Sequence, residues 1–114
     1  MAGEFDPRGD IFSAKAAGCG AFDRMTREAC EMKHMYVRQE FRGMQIGRQL
    51  TQRLIVSAKR AGYAVMRLET TIFMGKAIAM YSSLGFQTCQ PYYEIPESFR
   101  AITVFMQLNL ADAR

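Results

Sequence analysis

Tyr36-Val37-Arg38-Gln39-Glu40-Phe41-Arg42-Gly43-Met44-Gln45-Ile46-Gly47-Arg48-Gln49-Leu50 is the stretch whose reading decides the fold. An apolar strand pattern runs out at Val37, a short basic turn follows, and a new period begins at Ile46. From there Ile46, Leu50, Leu54, Ile55, Ala58 and Ala61 recur at helical spacing, while Gln49, Gln52, Arg53, Lys59 and Arg60 fall elsewhere. That pattern predicts a helix over residues 44–61 with one buried stripe. Gly62 supplies its stop, and Lys59 and Arg60 suit the negative end of the helix dipole. The start of such a helix has backbone N–H groups without intrahelical partners and the positive end of the dipole. An Arg- and Gly-bearing turn there suits an anion, a phosphate above all.

Working outward, residues 30–37 read as a strand. Alternation puts Glu31, Lys33, Met35 and Val37 on one face and Met32, His34 and Tyr36 on the other. Neither face is uniformly apolar, which predicts a central strand with one side given to a site. Residues 63–70, with Ala64, Val65, Met66 and Leu68, form the next strand. Strand, long helix and strand make a crossover unit, so these two strands are expected parallel, or splayed but parallel, in one sheet. Upstream, residues 11–22 read as a hairpin weakened by Gly18 and Gly20, and residues 23–29 as a polar connector. The first ten residues show no periodicity and read as a disordered leader, leaving residues 11–114 as a single domain. Downstream, Ala77, Ile78, Tyr81 and Leu84 predict a second, shorter helix over 75–84, closed by Gly85 with Phe86 behind it. A strand over 86–92, a surface loop around Pro91, Pro96 and Glu94, and an alternating last strand over 101–110 complete an α/β chain with a mixed sheet.

Composition bounds the possibilities. With 114 residues, 49% hydrophobic and 23% charged, the chain suits one globular domain with one modest core. No apolar run is long enough to cross a bilayer and the first residues lack the pattern of a signal peptide, so the expected setting is cytoplasmic with no membrane partner. The three cysteines, Cys19, Cys30 and Cys89, lack metal-type spacing, and their odd number argues against a disulfide framework. No metal is expected. His34 lies inside a strand pattern and is read as a packed side chain. Between Lys33 and Arg60 seven basic residues face one acid, Glu40, a local +6 within a net +4 chain. Such a field suits a polyanionic ligand; with no recognised motif or clustered exposed aromatics beside it, nucleic acid is not an expected partner.

The residues from Val37 to Leu50 resemble the acetyl-CoA signature of the Gcn5-related N-acetyltransferase (GNAT) superfamily. In that signature an Arg/Gln-x-x-Gly-x-Gly/Ala turn binds the CoA pyrophosphate at a helix start; here it reads Arg42-Gly43-Met44-Gln45-Ile46-Gly47. Leu68-Glu69-Thr70, the segment Ala77-Ile78-Ala79-Met80-Tyr81-Ser82-Ser83-Leu84-Gly85-Phe86, and Val104-Phe105-Met106-Gln107-Leu108 resemble further landmarks in the family's order, so the likeness runs from about Gly18 to Leu110. Two departures stand out. Gln45 replaces the first glycine of the pair, where a Cβ stands close to the expected phosphate. The family's usual first strand and first two helices have no counterpart before the hairpin, so the resemblance implies a truncated GNAT fold with a sheet edge and an apolar face that a partner chain covers, and hence a homodimer.

The resemblance implies an N-acetyltransferase that moves an acetyl group from acetyl-CoA to a primary amine of a small molecule or peptide by direct attack. The implied alternative is a non-catalytic acyl-CoA-binding or oligomer-forming remnant. Tyr81 matches the family's general acid near the CoA sulfur, although periodicity alone also suits it to the core. Glu31 matches a strand carboxylate that deprotonates the amine in some members, and Glu69 on the next strand is an equal candidate. The backbone of Met35, Tyr36 and Val37 is expected to pair with the pantetheine arm and to face the oxyanion. Arg42, Gly43, Met44, Gln45, Ile46, Gly47 and Arg48 are expected to hold the pyrophosphate. A dinucleotide-binding Rossmann unit is disfavoured by the absence of Gly-x-Gly-x-x-Gly.

Overall fold

Where the apolar period is two the chain pairs into strands, and where it is 3.6 it coils. A computed structural model describes residues 3–5, 11–14, 18–37, 39 and 45–112. In chain order they form β1 (Gly3–Phe5), β2 (Ile11–Ala14), β3 (Gly18–Arg24), β4 (Ala29–Val37), α1 (Ile46–Arg60), β5 (Val65–Thr71), α2 (Gly75–Ser83), β6 (Gln87–Thr88), α3 (Glu97–Arg100), β7 (Thr103–Asn109) and a closing 3-10 turn (Leu110–Asp112). One mixed sheet holds the strands in the order β1-β2-β3-β4-β5-β7-β6, with β4 in the middle as expected. The α/β class and the predicted order of elements from the hairpin onward are found.

Several bounds differ from expectation. Gly3–Phe5, within the stretch read as a leader, pairs antiparallel with β2. The strand expected over 86–92 shrinks to Gln87–Thr88, and the loop after it contains the single turn α3. Ala61, assigned to the buried stripe of the long helix, is an exposed C-cap.

Crossover through α1 makes β4 and β5 parallel, but only at their first residues: Ala29, Cys30 and Glu31 pair with Val65, Met66 and Arg67. Beyond that β4 continues on β3, and β5 continues on β7 as far as Thr71. Among the described residues no ladder pair joins the remainder of β4 to the remainder of β5. The strands therefore part into a V that opens toward their C-terminal ends, the splayed form of the expected pairing.

A second irregularity corrects the face assignment of β4. Against β3, Lys33 faces Ala21 while Tyr36 faces Cys19, so three steps along β4 match two along β3. One extra residue is a β-bulge, and because side chains alternate strictly it reverses the two faces downstream. Val37 accordingly packs against the core and Tyr36 is exposed, whereas Glu31 and Lys33, before the bulge, keep to the opposite face. Strict alternation in the sequence had put Val37 with Glu31.

The core lies on one side of the sheet. Phe22, Cys30, Met32, Met66, Leu68, Met106 and Leu108 project there and meet Ile46, Leu50, Leu54, Ile55 and Ala58 of α1. Leu50 and Leu54 are wholly enclosed, and burial of each such side chain contributes roughly 2 kcal/mol. The two longer helices end in the same motif. In α1 the amides of Gly62 and Tyr63 bond to the carbonyls of Lys59 and Ala58; in α2 those of Gly85 and Phe86 bond to Ser82 and Tyr81. These are the paired bonds of a Schellman close, and Gly62 and Gly85 take the positive φ it requires, 94° and 104°.

Candidate functional site

The V between β4 and β5 has a different chemistry on each side. On the core side stands the start of α1. Gln45 is its N-cap, at φ 61° and ψ 25°, the one non-glycine residue with positive φ among the described residues. The sequence reading singled out this residue as the departure from glycine, and its backbone takes the left-handed conformation for which glycine is favoured. A left-handed residue followed by helix turns successive N–H groups toward one concavity, a nest for an anion. Among the described residues no side chain caps these amides and no acid lies in the first turn, which leaves the positive helix end open to an anion. At Gly47 an added Cβ would meet Met80 Cε at 3.8 Å and Val37 Cγ2 at 3.9 Å, ordinary contacts that fit a position where the signature admits alanine.

Those distances also place Gly47 between the end of β4 and the middle of α2. One residue on, the Arg48 guanidinium donates to Ser83 Oγ at the end of α2, and Ser83 Oγ donates to the Met80 carbonyl at 2.6 Å. Arg48 helps line a cleft of about 490 Å³ with Gln52, Ser82, Ser83 and Asp112. Gln45, Ile46, Gly47, Arg48 and the end of β4 are thus brought together. Met35, Tyr36 and Val37 are the last residues of β4, with Tyr36 and Val37 beyond the bulge. Arg42, Gly43 and Met44 lie outside the described residues.

Tyr81 comes from α2 and faces the core side. It is buried, its ring packs edge-to-face on Phe86 at 5.7 Å, and burial raises its phenol above the ordinary value of 10.0. The Phe86 contact is the apolar pair that accompanies a Schellman close, so the helix ending itself fixes the ring. Among the described residues nothing hydrogen-bonds its hydroxyl. A neutral phenol with an uncommitted proton suits a general acid.

Glu31 and Glu69 stand on the other face of the sheet. Glu31 is only 8% exposed, accepts a hydrogen bond from the Tyr92 hydroxyl at 2.6 Å and lies 3.4 Å from Lys33 Nζ, which also approaches Asp23 at 3.7 Å. Glu69, exposed, accepts from the Tyr93 hydroxyl. Burial and the two carboxylates hold both phenols well above the usual tyrosine range, so both remain donors. The Arg67 guanidinium stands 5.5 Å from the Tyr92 ring centroid and bonds Gln107. The two carboxylates are thereby brought together, while Tyr81 lies on the opposite face. Tyr92 and Tyr93 were missed as site residues, Tyr92 being read as the end of a strand over 86–92 and Tyr93 as part of the loop after it; two adjacent tyrosines after Pro91 were the available signal.

The class so defined is an α/β domain with a splayed parallel pair, an uncapped helix start on one side of its sheet and two carboxylates on the other. The family model for the acetyltransferase (GNAT) domain matches residues 7–88, and the chain belongs to that family. Over 69 residues, 60% of this chain and 32% of the relative, it is 46% identical to an uncharacterised N-acetyltransferase of Dictyostelium discoideum. A crystal structure of a candidate acyl-CoA N-acyltransferase from Klebsiella pneumoniae superposes with a TM-score of 0.73 at 33% identity, covering 93% of this chain and 68% of that one. A candidate acetyltransferase of Salmonella typhimurium, solved with acetyl-CoA, gives 0.70 at 28% identity over 90% of this chain and 64% of that one. The chain spans between 30% and 62% of the length of the curated relatives it matches.

Proposed function

We propose that this chain binds acetyl-CoA and transfers its acetyl group to a primary amine. The observation that carries the reading is the V between β4 and β5, with the Gln45 helix start on one side and Glu31 and Glu69 on the other. Acetyl-CoA supplies an acetyl thioester; joining its carbonyl carbon to the amine nitrogen breaks the C–S bond and leaves an amide and a free thiol. The helix amides from Gln45 to Arg48, with the Arg48 side chain, hold the pyrophosphate, and Arg42, Gly43 and Met44 of the signature are assigned to the same ligand. In this reading the end of β4, splayed from β5 past Glu31, brings backbone of Met35, Tyr36 and Val37 to the pantetheine arm and to the oxyanion. Glu31 or Glu69 takes the proton of the acceptor's ammonium, and Tyr81 delivers one to the departing sulfur.

Homodimer formation belongs to the same reading. Ile72, Phe73 and Met74 are each more than half exposed and offer an apolar surface for a second copy, which sedimentation velocity checks. No described helix is long and apolar enough to cross a membrane, and Cys30 and Cys89 are free thiols, which supports a reaction in the cytoplasm.

The deciding experiment is thermal stabilisation by acetyl-CoA and CoA against NAD, followed by thiol release with a panel of amines. The expected result is a higher melting temperature with both CoA species alone and thiol release that needs an amine. No response to either CoA species rules the reading out; binding without thiol release points to the non-catalytic alternative.

A further inference from the structure

Two tyrosines adjacent in sequence reach carboxylates on two different strands. Neighbouring residues of an extended chain point to opposite sides, so this arrangement needs the bend that residues 92–93 form after β6. The two rings meet edge to face at 5.3 Å, and each packs on Phe105 of β7, at 4.9 Å for Tyr92 and 5.3 Å for Tyr93. The result is an aromatic step that carries Glu31 and Glu69 along its polar edge. Beside it opens a cleft of about 610 Å³, lined by Pro91, Tyr92, Tyr93, Ile95 and Phe105 among others. That volume suits one small molecule. Tyr93 is 41% exposed and offers ring surface to whatever enters.

Cations on the same face narrow the choice of occupant. Lys33 lies against Glu31, Arg67 stands over Tyr92, and Arg100, paired to Glu97 at 3.2 Å, lines the cleft. One ammonium finds Glu69 beside Tyr93; a second, farther along the same molecule, meets Arg100 already paired to Glu97 with Glu94 in the same lining, and gains little. Ring surface and aliphatic carbon between these groups favour a flat apolar body, which stacks on Tyr93 while its ammonium gains from the ring quadrupole and from Glu69.

We propose that the loop carrying Tyr92 and Tyr93 is the acceptor-binding element and that it selects a primary amine borne on an aromatic body, an arylalkylamine, over polyamines and peptides. This rests on the acetyltransferase reading above. The test titrates 2-phenylethylamine, spermidine and trialanine calorimetrically into protein saturated with CoA, with CoA affinity measured on the same samples. We expect 2-phenylethylamine to bind about tenfold or more tighter than either competitor, and Tyr93→Ala to weaken it about tenfold while CoA affinity stays within about twofold. Tyr92→Phe, which keeps the ring and loses the bond to Glu31, is expected to retain the preference for the aromatic amine with weaker binding. Equal or tighter binding of spermidine or trialanine, or an undiminished affinity in a folded Tyr93→Ala protein, overturns the acceptor assignment and leaves the acetyltransferase reading standing. Failure of CoA itself to bind overturns both.

Discussion

At Gln45 a β-carbon occupies backbone space that ordinarily belongs to glycine. A left-handed L-residue costs roughly 1–2 kcal/mol, which the geometry of the helix start imposes on this position. Gln45→Gly is therefore expected to leave urea stability unchanged or raise it by up to about 1 kcal/mol, and Gln45→Val to lower it by about 1–2 kcal/mol. Loss of stability in Gln45→Gly means that the Gln side chain has a role beyond its backbone angle. At Tyr81 the relevant quantity is a proton. Burial disfavours the phenolate, so the folded-state pKa lies above 10.0 and the hydroxyl keeps its proton through neutral and mildly alkaline pH. The kcat profile should show no basic limb from Tyr81 below about pH 10, and Tyr81→Phe should lower kcat by about 100-fold with acetyl-CoA affinity unchanged. A basic limb near neutral pH that disappears in Tyr81→Phe contradicts this assignment.

Elements are fixed by their ends as much as by their interiors. Residues of α2 serve three partners: Tyr81 faces the core, Met80 contacts the start of α1, and Ser83 receives Arg48. Its close at Gly85 sets the register of all three. Gly85→Ala puts a Cβ at φ 104° and 3.1 Å from Leu108 Cδ1, and should cost about 1–2 kcal/mol in denaturant unfolding. If the strain is relieved by unwinding the last turn, kcat falls further than stability does, because Tyr81 loses its Phe86 support. The stop at Gly62 and the cap at Gly85 were legible in the sequence, because a Schellman close is a local matter of one glycine and the residue behind it. The bulge between β3 and β4 was legible only in part: Gly18 and Gly20 of β3 are residues that often mark one, but that the extra residue lies in β4 was not legible. A bulge is a miscount between two strands, and nothing within Lys33 to Tyr36 announces it without β3 alongside. The strand expected over 86–92 failed for a similar reason: β6 pairs with β7 at Gln87 and Thr88, and after Cys89 the chain turns away to cover Glu31 and Glu69.

For the whole molecule, stability and site meet at the closed end of the V. Cys30 is fully buried there, its thiol donates to the Val65 carbonyl at 3.7 Å, and burial pushes it up to about 12 from 9.0. The unfolded chain thus loses this proton near pH 9 while the native protein keeps it. Stability is full below pH 9 and falls as pH rises toward 12, by up to about 1.4 kcal/mol per pH unit. Urea midpoints between pH 8 and pH 10 should show that decline, and Cys30→Ala should reduce it between pH 9 and 10, leaving the part due to Cys89 and to Tyr81, Tyr92 and Tyr93, which are also raised in the folded protein. A wild-type slope that persists in the variant assigns the effect elsewhere. Across the molecule, the sequence by itself determined the order of elements from the hairpin onward, the crossover that makes β4 and β5 parallel and the buried stripe of α1. Each follows from periodicity or from end signals carried within a few residues. Tertiary structure alone decided how far β4 and β5 stay paired, which face Val37 takes after the bulge, and that Tyr92 and Tyr93 reach the two carboxylates. Those outcomes depend on contacts between segments distant in the chain, whose energies no local pattern records.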